Sequence, residues 1–240
     1  MESNNPVKKI LKKTAAGVFL AASISLLASC ESILGHGREM PQSARERRAA
    51  SKSRQEIEDI RARLVEAAHV YKGASRLDAG SRTFALDCSG VVAAIYYYAG
   101  IDLQAYYSDY TGTGTERIYK ALKDRNLLHT SWQPEPGDII FWDNTYDRNR
   151  NRKANDYLTH MGMVVSRDRH GNIVYVHHNY SRGIVFEHMN IRHKNVHTRI
   201  VRGETIIVNS PMRKKGSPSA SAGTLSGELF RVFGSGVYLD

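Results

Sequence analysis

Cysteine is scarce in this 240-residue chain, which contains only Cys30 and Cys88. Two cysteines exclude a scaffold built on several disulfides, and six prolines exclude a proline-rich low-complexity protein. Internal repeats are absent, as are the zinc-finger, ribonucleoprotein and basic-zipper motifs of nucleic-acid-binding proteins. The composition, 41% hydrophobic and 24% charged, therefore predicts one ordinary globular domain with appendages.

The N-terminal apolar run, from Thr14 to Leu27, is shorter than the about 20 residues that cross a bilayer. Four lysines between residues 8 and 13 precede it, which is the pattern of a secretion signal. The run ends in Leu27-Ala28-Ser29-Cys30 and resembles the lipobox of bacterial lipoproteins, whose cysteine is lipidated and becomes the first residue after cleavage. Residues 1–29 are therefore predicted to be a lipoprotein signal peptide, with Cys30 as the lipidation site and membrane anchor. The alternatives are an ordinary signal peptide cleaved near the same place, or an uncleaved anchor.

Basic residues outnumber acidic ones by 34 to 24, a formal charge of +10. Without the predicted signal the balance is 30 to 23, or +7, which favours polyanionic surroundings such as an acidic wall polymer or anionic lipid. Export makes nucleic acid the least favoured partner.

Residues 30–52 are arginine-rich and poor in apolar side chains, so they are predicted to be a basic tether. Because Glu31 and not aspartate follows the lipobox cysteine, the resemblance implies the cell envelope, on the outer membrane facing the periplasm if the host is Gram-negative.

The stretch Asp87-Cys88-Ser89-Gly90 opens an apolar run that ends at Gly100, which predicts a buried helix with Cys88 on its first turn. The positive end of the helix dipole favours a thiolate there, but it contributes only about 0.3 to 1 kcal/mol, less than one pKa unit. Cys88 therefore needs a basic partner to act as a nucleophile. With Cys30 committed to lipid, Cys88 has no disulfide partner, and an unpaired thiol in an exported protein indicates reactivity. The alternative is a buried core cysteine.

Hydrophobic periodicity predicts an α+β domain over residues 53–208. Ser53 begins a capping-box pattern that opens one helix, and another helix is predicted over 116–128. The predicted strands are 139–142, an antiparallel meander of 161–165, 173–177 and 184–187, and a fourth strand within 199–208. Residues 209–240, initially rich in glycine, serine and alanine, are predicted to be a flexible C-terminal tail, of which 229–239 is the part apolar enough to dock.

Ten histidines compete as the partner of Cys88, because an imidazole with a pKa near ~6.5 takes a thiol proton at neutral pH. His160 stands at the mouth of one meander strand, and His177 and His178 end the next. If these strands pair, a second ring reaches the first and fixes its orientation. Spacing leaves open whether His177 or His178 faces His160, and also whether His160 is only a hydrogen-bonded histidine at a strand end.

Two patterns resemble metal sites, but each lacks an essential part. His193 and His197 have the four-residue spacing of a helical zinc pair, yet no glutamate accompanies them. Asp147-Arg148-Asn149-Arg150-Asn151 has the alternating spacing of a calcium loop, but Arg152 stands where glycine is required and no glutamate closes the loop. No metal and no cofactor are therefore predicted.

Four motifs, in this order, resemble the NlpC family of bacterial cell-wall cysteine peptidases: Asp87-Cys88-Ser89-Gly90, Pro136-Gly137-Asp138-Ile139-Ile140-Phe141, His160-Met161-Gly162-Met163-Val164-Val165 and Tyr175-Val176-His177. The similarity spans roughly residues 57 to 190 and implies a papain-like NlpC-type α+β domain, with N-terminal helices packed on an antiparallel sheet. It implies Cys88 as nucleophile, His160 as base and His177 as the orienting third residue. It also implies lipoprotein members, which agrees with Cys30.

The chain departs from the family pattern in two places. Tyr71-Lys72-Gly73-Ala74 lacks the second glycine of a Tyr-x-x-Gly-Gly pattern, so Tyr71 is a candidate to line the site only by partial similarity. The segment from Asp143 to Tyr157 replaces a short link, and it is expected to reshape or cover the substrate groove.

The predicted function is a cysteine peptidase or amidase that hydrolyses amide bonds in peptidoglycan stem peptides. Cys88 would attack the carbonyl carbon, and the backbone N–H groups of Cys88 and Ser89 would hold the oxyanion. His160 would protonate the leaving amine. The alternatives are an acyl transferase using the same thiol, a catalytically idle wall-binding lipoprotein, and a zinc hydrolase.

Overall fold

Helices come first along the chain and a six-stranded antiparallel sheet follows, which confirms the predicted α+β class. The computed structural model describes residues 52–213 and 223–239. The helices are α1 (Arg54–Tyr71), α2 (Cys88–Tyr98), α3 (Leu103–Tyr107) and α4 (Gly114–Asp124). The strands are β1 (Leu77–Ala79), β2 (Arg82–Phe84), β3 (Leu128–His129), β4 (Ile139–Trp142), β5 (His160–Arg167), β6 (Ile173–Asn179), β7 (Gly183–Met189), β8 (Thr198–Val201), β9 (Glu204–Ile207) and β10 (Phe230–Gly234).

Side-chain caps set the starts of the helices. The hydroxyl of Ser53 accepts a hydrogen bond from the Glu56 N–H (3.1 Å) at the start of α1, as the capping pattern predicts. A reciprocal capping box between Thr113 and Glu116 begins α4 two residues before the predicted start. This helix ends at Asp124, before the predicted end at 128, and the chain turns at Asn126, whose φ is 54°.

The main sheet has the strand order β3-β10-β4-β5-β6-β7, and all its neighbouring pairs are antiparallel. The predicted meander forms β5, β6 and β7. Because side chains alternate along a strand, the two faces carry different cores. Helices α1 and α2 contact β5 on the face that holds Phe141 and Met161. A smaller core on the other face contains Trp142, Tyr175 and Phe233.

Asp138 explains the acidic end of the Pro-Gly-Asp motif. Its side chain is fully buried and accepts hydrogen bonds from the Glu135 N–H (2.9 Å) and from Nε2 of His129 (3.0 Å). These contacts and the nearby Arg61 keep the pKa of Asp138 low, although burial opposes them. Asp138 therefore ties the turn before β4 to β3, and its role belongs to the fold.

The C-terminal strand corrects the prediction of a flexible tail over residues 209–240. β10 lies between β3 and β4 inside the sheet, and its Phe233 is fully buried. Leu229 packs in the second core, and Nε1 of Trp142 donates to the carbonyl of Ser226 (2.9 Å). Pairing with strands far away in the sequence orders this segment, which its local composition does not indicate. The domain predicted to end at residue 208 therefore includes residues 223–239.

Residues 199–208 also depart from the prediction of a fourth strand in the sheet. They fall within a separate hairpin of β8 and β9, which turns at Arg202 and Gly203 with φ values of 52° and 85°. Ile200 in this hairpin is 74% exposed. Its apolar composition therefore does not reflect burial.

Several sequence predictions lie outside the described residues. These are the signal peptide (1–29), the lipidation site Cys30, all of the tether except Lys52, and residues 214–222 of the tail. Within 52–213 and 223–239, no helix combines the length and the hydrophobicity that crossing a membrane requires.

Candidate active site

Cys88 is the first residue of α2, as predicted, and its neighbours explain the motif around it. Oδ1 of Asp87 caps the helix by accepting hydrogen bonds from the Gly90 N–H and the Ser89 hydroxyl, both at 2.8 Å. A Cβ atom on Gly90 would lie 1.8 Å from the carbonyl oxygen of Ala85, so only glycine fits at this position. The motif therefore fixes the first turn of α2 and the position of the thiol on it.

The thiol of Cys88 is half-buried and lies 3.8 Å from the hydroxyl oxygen of Thr115. Burial raises its pKa; the contact with Thr115 and the backbone N–H groups of Met161 and Ser89 oppose this increase, whereas Asp87 adds to it. The net direction is upward, so the thiol is protonated at neutral pH. The helix terminus alone does not produce a thiolate, which agrees with the small size of the dipole effect.

His160 and His177 meet across two neighbouring strands. Nε2 of His160 lies 2.8 Å from Nδ1 of His177, and the two rings are perpendicular. Gly162 makes this approach possible, since a Cβ there would lie 2.6 Å from the carbonyl oxygen of Val176 and 3.2 Å from the Cβ of His177. The ring of Trp142 packs beside His160 at a centroid distance of 5.8 Å. The orientation of His160 is thus held from two sides.

His178 points to the other face of β6 and forms no hydrogen bond with His160 in the part of the chain that the structure describes. Of the two histidines that spacing left open, His177 is therefore the one that contacts His160. Its side chain is almost fully buried, whereas His178 is partly exposed at the pocket.

A buried glutamate lies behind His177. Oε2 of Glu187 is 3.1 Å from Nε2 of His177 and accepts a hydrogen bond from the Tyr175 hydroxyl (3.0 Å). Its other oxygen accepts from Arg182 and, at 3.4 Å, from Nδ2 of Asn179. The His177 N–H does not point directly at the carboxylate, so the contact between these two groups is electrostatic. Glu187 is only 2% exposed, and its contact with Arg182 supplies the opposite charge that a buried carboxylate requires.

The two histidines are neutral at neutral pH. Burial and the nearby rings of His177 and His178 hold the pKa of His160 well below 6.5. Burial and the positive charge of Arg182 lower the pKa of His177 to about 3. The resting site therefore contains a neutral thiol and neutral rings.

Cys88, His160 and His177 line one pocket of about 520 Å³, a volume typical of ligand sites. Its walls are polar and aromatic: Asp87, Cys88, Thr145, Tyr146, Thr159, His160, His177, His178, Asn179, Tyr180 and Met212. Among the described residues, no hydrogen bond joins the Cys88 sulfur to the His160 ring. The pocket nevertheless brings together the three residues that sequence reasoning selected.

Tyr71 is not among the residues that line this pocket, and its part in the site stays a prediction. Its buried hydroxyl donates to the carbonyl of Asp78 (2.7 Å), and its ring packs edge-on against Tyr98. Tyr71 therefore packs in the core at the end of α1.

The side chain of Ser89 is exposed and hydrogen-bonded to Asp87, so only the backbone N–H of Ser89 faces the thiol.

A protein-family model described as the NlpC/P60 family matches residues 70–203, more than half of the chain. The chain belongs to the NlpC/P60 family. The match makes this an NlpC-type cell-wall peptidase domain, supports a peptidase or amidase function in general, and suggests peptidoglycan as the substrate. Comparison with curated proteins and with solved structures gives no significant match.

Sequence reasoning missed two residues of this NlpC/P60 site. Thr115 comes from α4 and meets the thiol only through the tertiary fold. The burial of Glu187 could have been predicted from the alternation of side chains along its strand. Residues 185, 187 and 189 share a face of β7, and Met189 on that face is fully buried. A glutamate on such a face requires partners, and the nearest candidates lie on the paired strand β6.

Proposed function

We propose that this NlpC/P60 protein is a cysteine peptidase that hydrolyses amide bonds in the stem peptides of peptidoglycan, with Cys88 as nucleophile. His160 acts as general base and acid, and His177 orients it. The observation that carries the proposal is the 2.8 Å contact between His160 and His177 in a pocket that also exposes the Cys88 thiol. A nucleophile, a base and a group that orients the base are the parts that such chemistry requires.

The reaction begins from a neutral thiol. His160 takes the proton from Cys88 as the sulfur attacks the substrate carbonyl carbon, and the two approach each other more closely once substrate binds. The backbone N–H groups of Cys88 and Ser89, at the N-terminus of α2, stabilise the oxyanion. His160 then gives its proton to the leaving amine as the C–N bond breaks. Water, deprotonated by His160, attacks the resulting thioester and releases the carboxylic acid and the thiol.

Glu187 determines which ring nitrogens carry protons in this scheme. The negative charge of Glu187, 3.1 Å from Nε2 of His177, favours the tautomer that carries its proton on that nitrogen. Nδ1 of His177 is then an acceptor, and the 2.8 Å contact requires Nε2 of His160 to donate to it. Nδ1 of His160 is left without a proton and is free to accept the one from Cys88. Glu187 is thus a positioning residue that acts through two rings.

Two exposed tyrosines support an extended substrate. Tyr146 and Tyr180, 50% and 91% exposed, lie at the pocket and offer flat surfaces for a peptide or sugar. The segment of Asp143–Tyr157, expected to reshape the groove, supplies Tyr146 and Thr145 to the pocket. The positive balance of the chain suits an acidic polymer.

We also propose that the mature protein is attached to the cell envelope by lipid on Cys30. The support is the lipobox-like ending of the signal sequence. Cells fed labelled palmitate are expected to incorporate label into the wild-type chain and not into Cys30→Ser. Equal incorporation into both chains would contradict the proposal.

Digestion of purified peptidoglycan tests the proposed activity. Wild-type protein is expected to release muropeptides with new carboxyl ends, and His160→Ala to release them about 10²- to 10⁴-fold more slowly. His170→Ala, on the exposed turn between β5 and β6, is the matched control and should retain activity. Absence of release by wild-type protein would favour the idle wall-binding alternative. A product joined to an added amine would favour the transferase alternative.

A further inference from the structure

We propose that the loop between β4 and β5 binds Ca²⁺ through Asp147, Asp156 and the asparagines between them. Asp147, Asn149, Asn151 and Asn155 occupy the first, third, fifth and ninth positions of a calcium loop. The sequence argued against calcium on two grounds, an arginine at the sixth position and the lack of a closing glutamate. The structure removes both objections.

Arg152 takes the backbone conformation that calcium loops obtain from glycine. Its φ is 61°, in the left-handed region, and its N–H donates to Oδ2 of Asp147 (2.9 Å). The sharp turn at the sixth position is therefore present without glycine. The asparagine side chains converge at this turn, since Asn149 and Asn151 both donate through Nδ2 to Oδ1 of Asn155, at 3.0 and 3.3 Å. Rotating either amide by 180° would turn an oxygen toward the same point.

Asp156 supplies the second carboxylate and points to a ligand independently of the loop spacing. The residue is 2% exposed, and its Oδ2 has no hydrogen-bond partner among residues 52–213 and 223–239. Its other oxygen accepts from the Asn149 N–H at 3.3 Å, so the carboxylate faces the inside of the loop. Oδ1 of Asp147 is likewise buried and has no hydrogen-bond partner in the described part of the chain. Buried carboxylate oxygens without partners are costly, and a cation in the loop would satisfy both.

The basic side chains of the loop do not supply that cation. Within 52–213 and 223–239, no arginine or lysine forms an ion pair with Asp147 or Asp156. Arg148 instead pairs with Glu116 at 2.9 Å, and Arg150 and Arg152 are exposed. The three arginines occupy the second, fourth and sixth positions, between the donors at the first, third and fifth, and Lys153 at the seventh position is exposed.

The donor set selects the metal. Carboxylate, amide and backbone carbonyl oxygens suit a hard cation, and a flexible set of several oxygens suits Ca²⁺ better than Mg²⁺. The described residues contain no group of three or more His, Cys, Asp or Glu side chains that could hold a metal, so amide and carbonyl oxygens must complete the coordination. With two carboxylates the affinity is expected at the weak end of calcium loops, about 10⁻⁴ to 10⁻³ M.

Calcium would order one wall of the pocket. The loop closes on itself where the Asn144 N–H donates to the carbonyl of Asp156 (2.7 Å) and the Thr145 N–H to the hydroxyl of Thr159 (2.9 Å). Thr145, Tyr146 and Thr159 line the pocket. We therefore expect Ca²⁺ to lower KM for peptidoglycan fragments. This consequence rests on the proposed function, whereas the binding experiment below does not.

Thermal unfolding of the full chain tests the site. About 10 mM CaCl₂ is expected to raise Tm by about 3–11 °C, and the same concentration of MgCl₂ much less. Asp147→Asn with Asp156→Asn should abolish the Ca²⁺ shift. Asp168→Asn is the matched control, because Asp168 accepts backbone N–H bonds in an exposed turn far from the loop in sequence, and it should keep the shift.

Two results would overturn the proposal: a wild-type Tm that CaCl₂ raises no more than MgCl₂, or a Ca²⁺ shift that persists in the double variant. If the double variant does not fold, Asn151→Ala replaces it, since Asn151 is exposed. That variant should need several-fold more CaCl₂ for half of the shift, and an unchanged requirement would count against the site.

Discussion

Nε2 of His177 lies 3.1 Å from Oε2 of Glu187, a buried carboxylate that also binds Tyr175 and Arg182. Together with the contact between His177 and His160, this contact completes a chain of polar side chains that runs from Arg182 at the surface to the pocket. In the proposed mechanism, the charge of Glu187 favours one proton position on His177, and His177 in turn favours one on His160. Glu187 therefore connects an ion pair at the β6–β7 turn to the protonation of the proposed base.

Glu187→Gln is expected to lower kcat for peptidoglycan hydrolysis by about 10- to 100-fold while the fold is retained. Glutamine removes the negative charge beside Nε2 of His177, so the proton of His177 is no longer held on that nitrogen and Nδ1 of His160 is no longer kept free of a proton. The change should appear mainly in kcat and not in KM, because no substrate contact is lost. Kinetics with a synthetic stem peptide measure it.

Glu135→Gln is the matched control for that variant. Glu135 also pairs with an arginine, Arg167 at 2.8 Å, but it does not line the pocket. It should leave kcat unchanged. Equal losses of kcat in both variants, or none in Glu187→Gln, would contradict the positioning role of Glu187.

The labelling rate of Cys88 by a small neutral electrophile is expected to keep rising past about pH 8.5, the ordinary thiol value. Burial raises the pKa of Cys88 and lowers that of His160, so the resting pair is uncharged. The thiolate fraction therefore increases only as the pH approaches the raised thiol pKa. A labelling rate that is already constant between about pH 5 and pH 8 would show a preformed ion pair and contradict this description.

Stability is expected to fall as the pH drops below about 6.5, the pKa of an unfolded histidine. The pKa of His177 is about 3 in the folded protein, so between these values the unfolded chain binds one more proton than the folded one. The free energy of unfolding then falls by up to about 1.4 kcal/mol per pH unit from this residue alone. His160 contributes in the same direction.

Urea unfolding at several pH values measures this dependence, with His177→Gln as the variant and His170→Gln as the exposed control. The variant should have a shallower slope below pH 6.5 than the control. Equal slopes would contradict the assignment of a buried neutral ring to His177.

Phe233→Ala is expected to lower the free energy of unfolding by about 3–5 kcal/mol, because Phe233 is fully buried in the second core. Phe230→Ala on the same strand should cost clearly less, since Phe230 is only partly buried. Chemical denaturation measures both. If neither substitution changes the free energy of unfolding appreciably, β10 does not form part of the folded core, and the prediction of a flexible tail from composition would stand.

Features with a local cause were predictable from the sequence. The helix that begins at Cys88 has its cap and its glycine close in the sequence, and the strands of the meander have turns between apolar runs. The order of the two histidine motifs and the pairing of their strands brought His160 and His177 into the same pocket.

Features that depend on distant partners were not predictable in this way. β10 is five residues long and follows a segment rich in small residues, and only its pairing with β3 and β4 shows that it is a strand. Glu187 and Thr115 join the site from elements whose placement the local pattern does not specify. The turn at Arg152 shows the same limit, because a non-glycine residue adopts the conformation that the pattern reserves for glycine.

Trapping of the acyl-enzyme tests the central claim most directly. Wild-type protein mixed with purified stem peptide and quenched in acid should carry the acyl fragment of the peptide as a thioester on Cys88, seen by mass spectrometry, and Cys88→Ala should carry none while releasing product more than about 10³-fold more slowly. Release of the same products by Cys88→Ala at the wild-type rate would contradict the account.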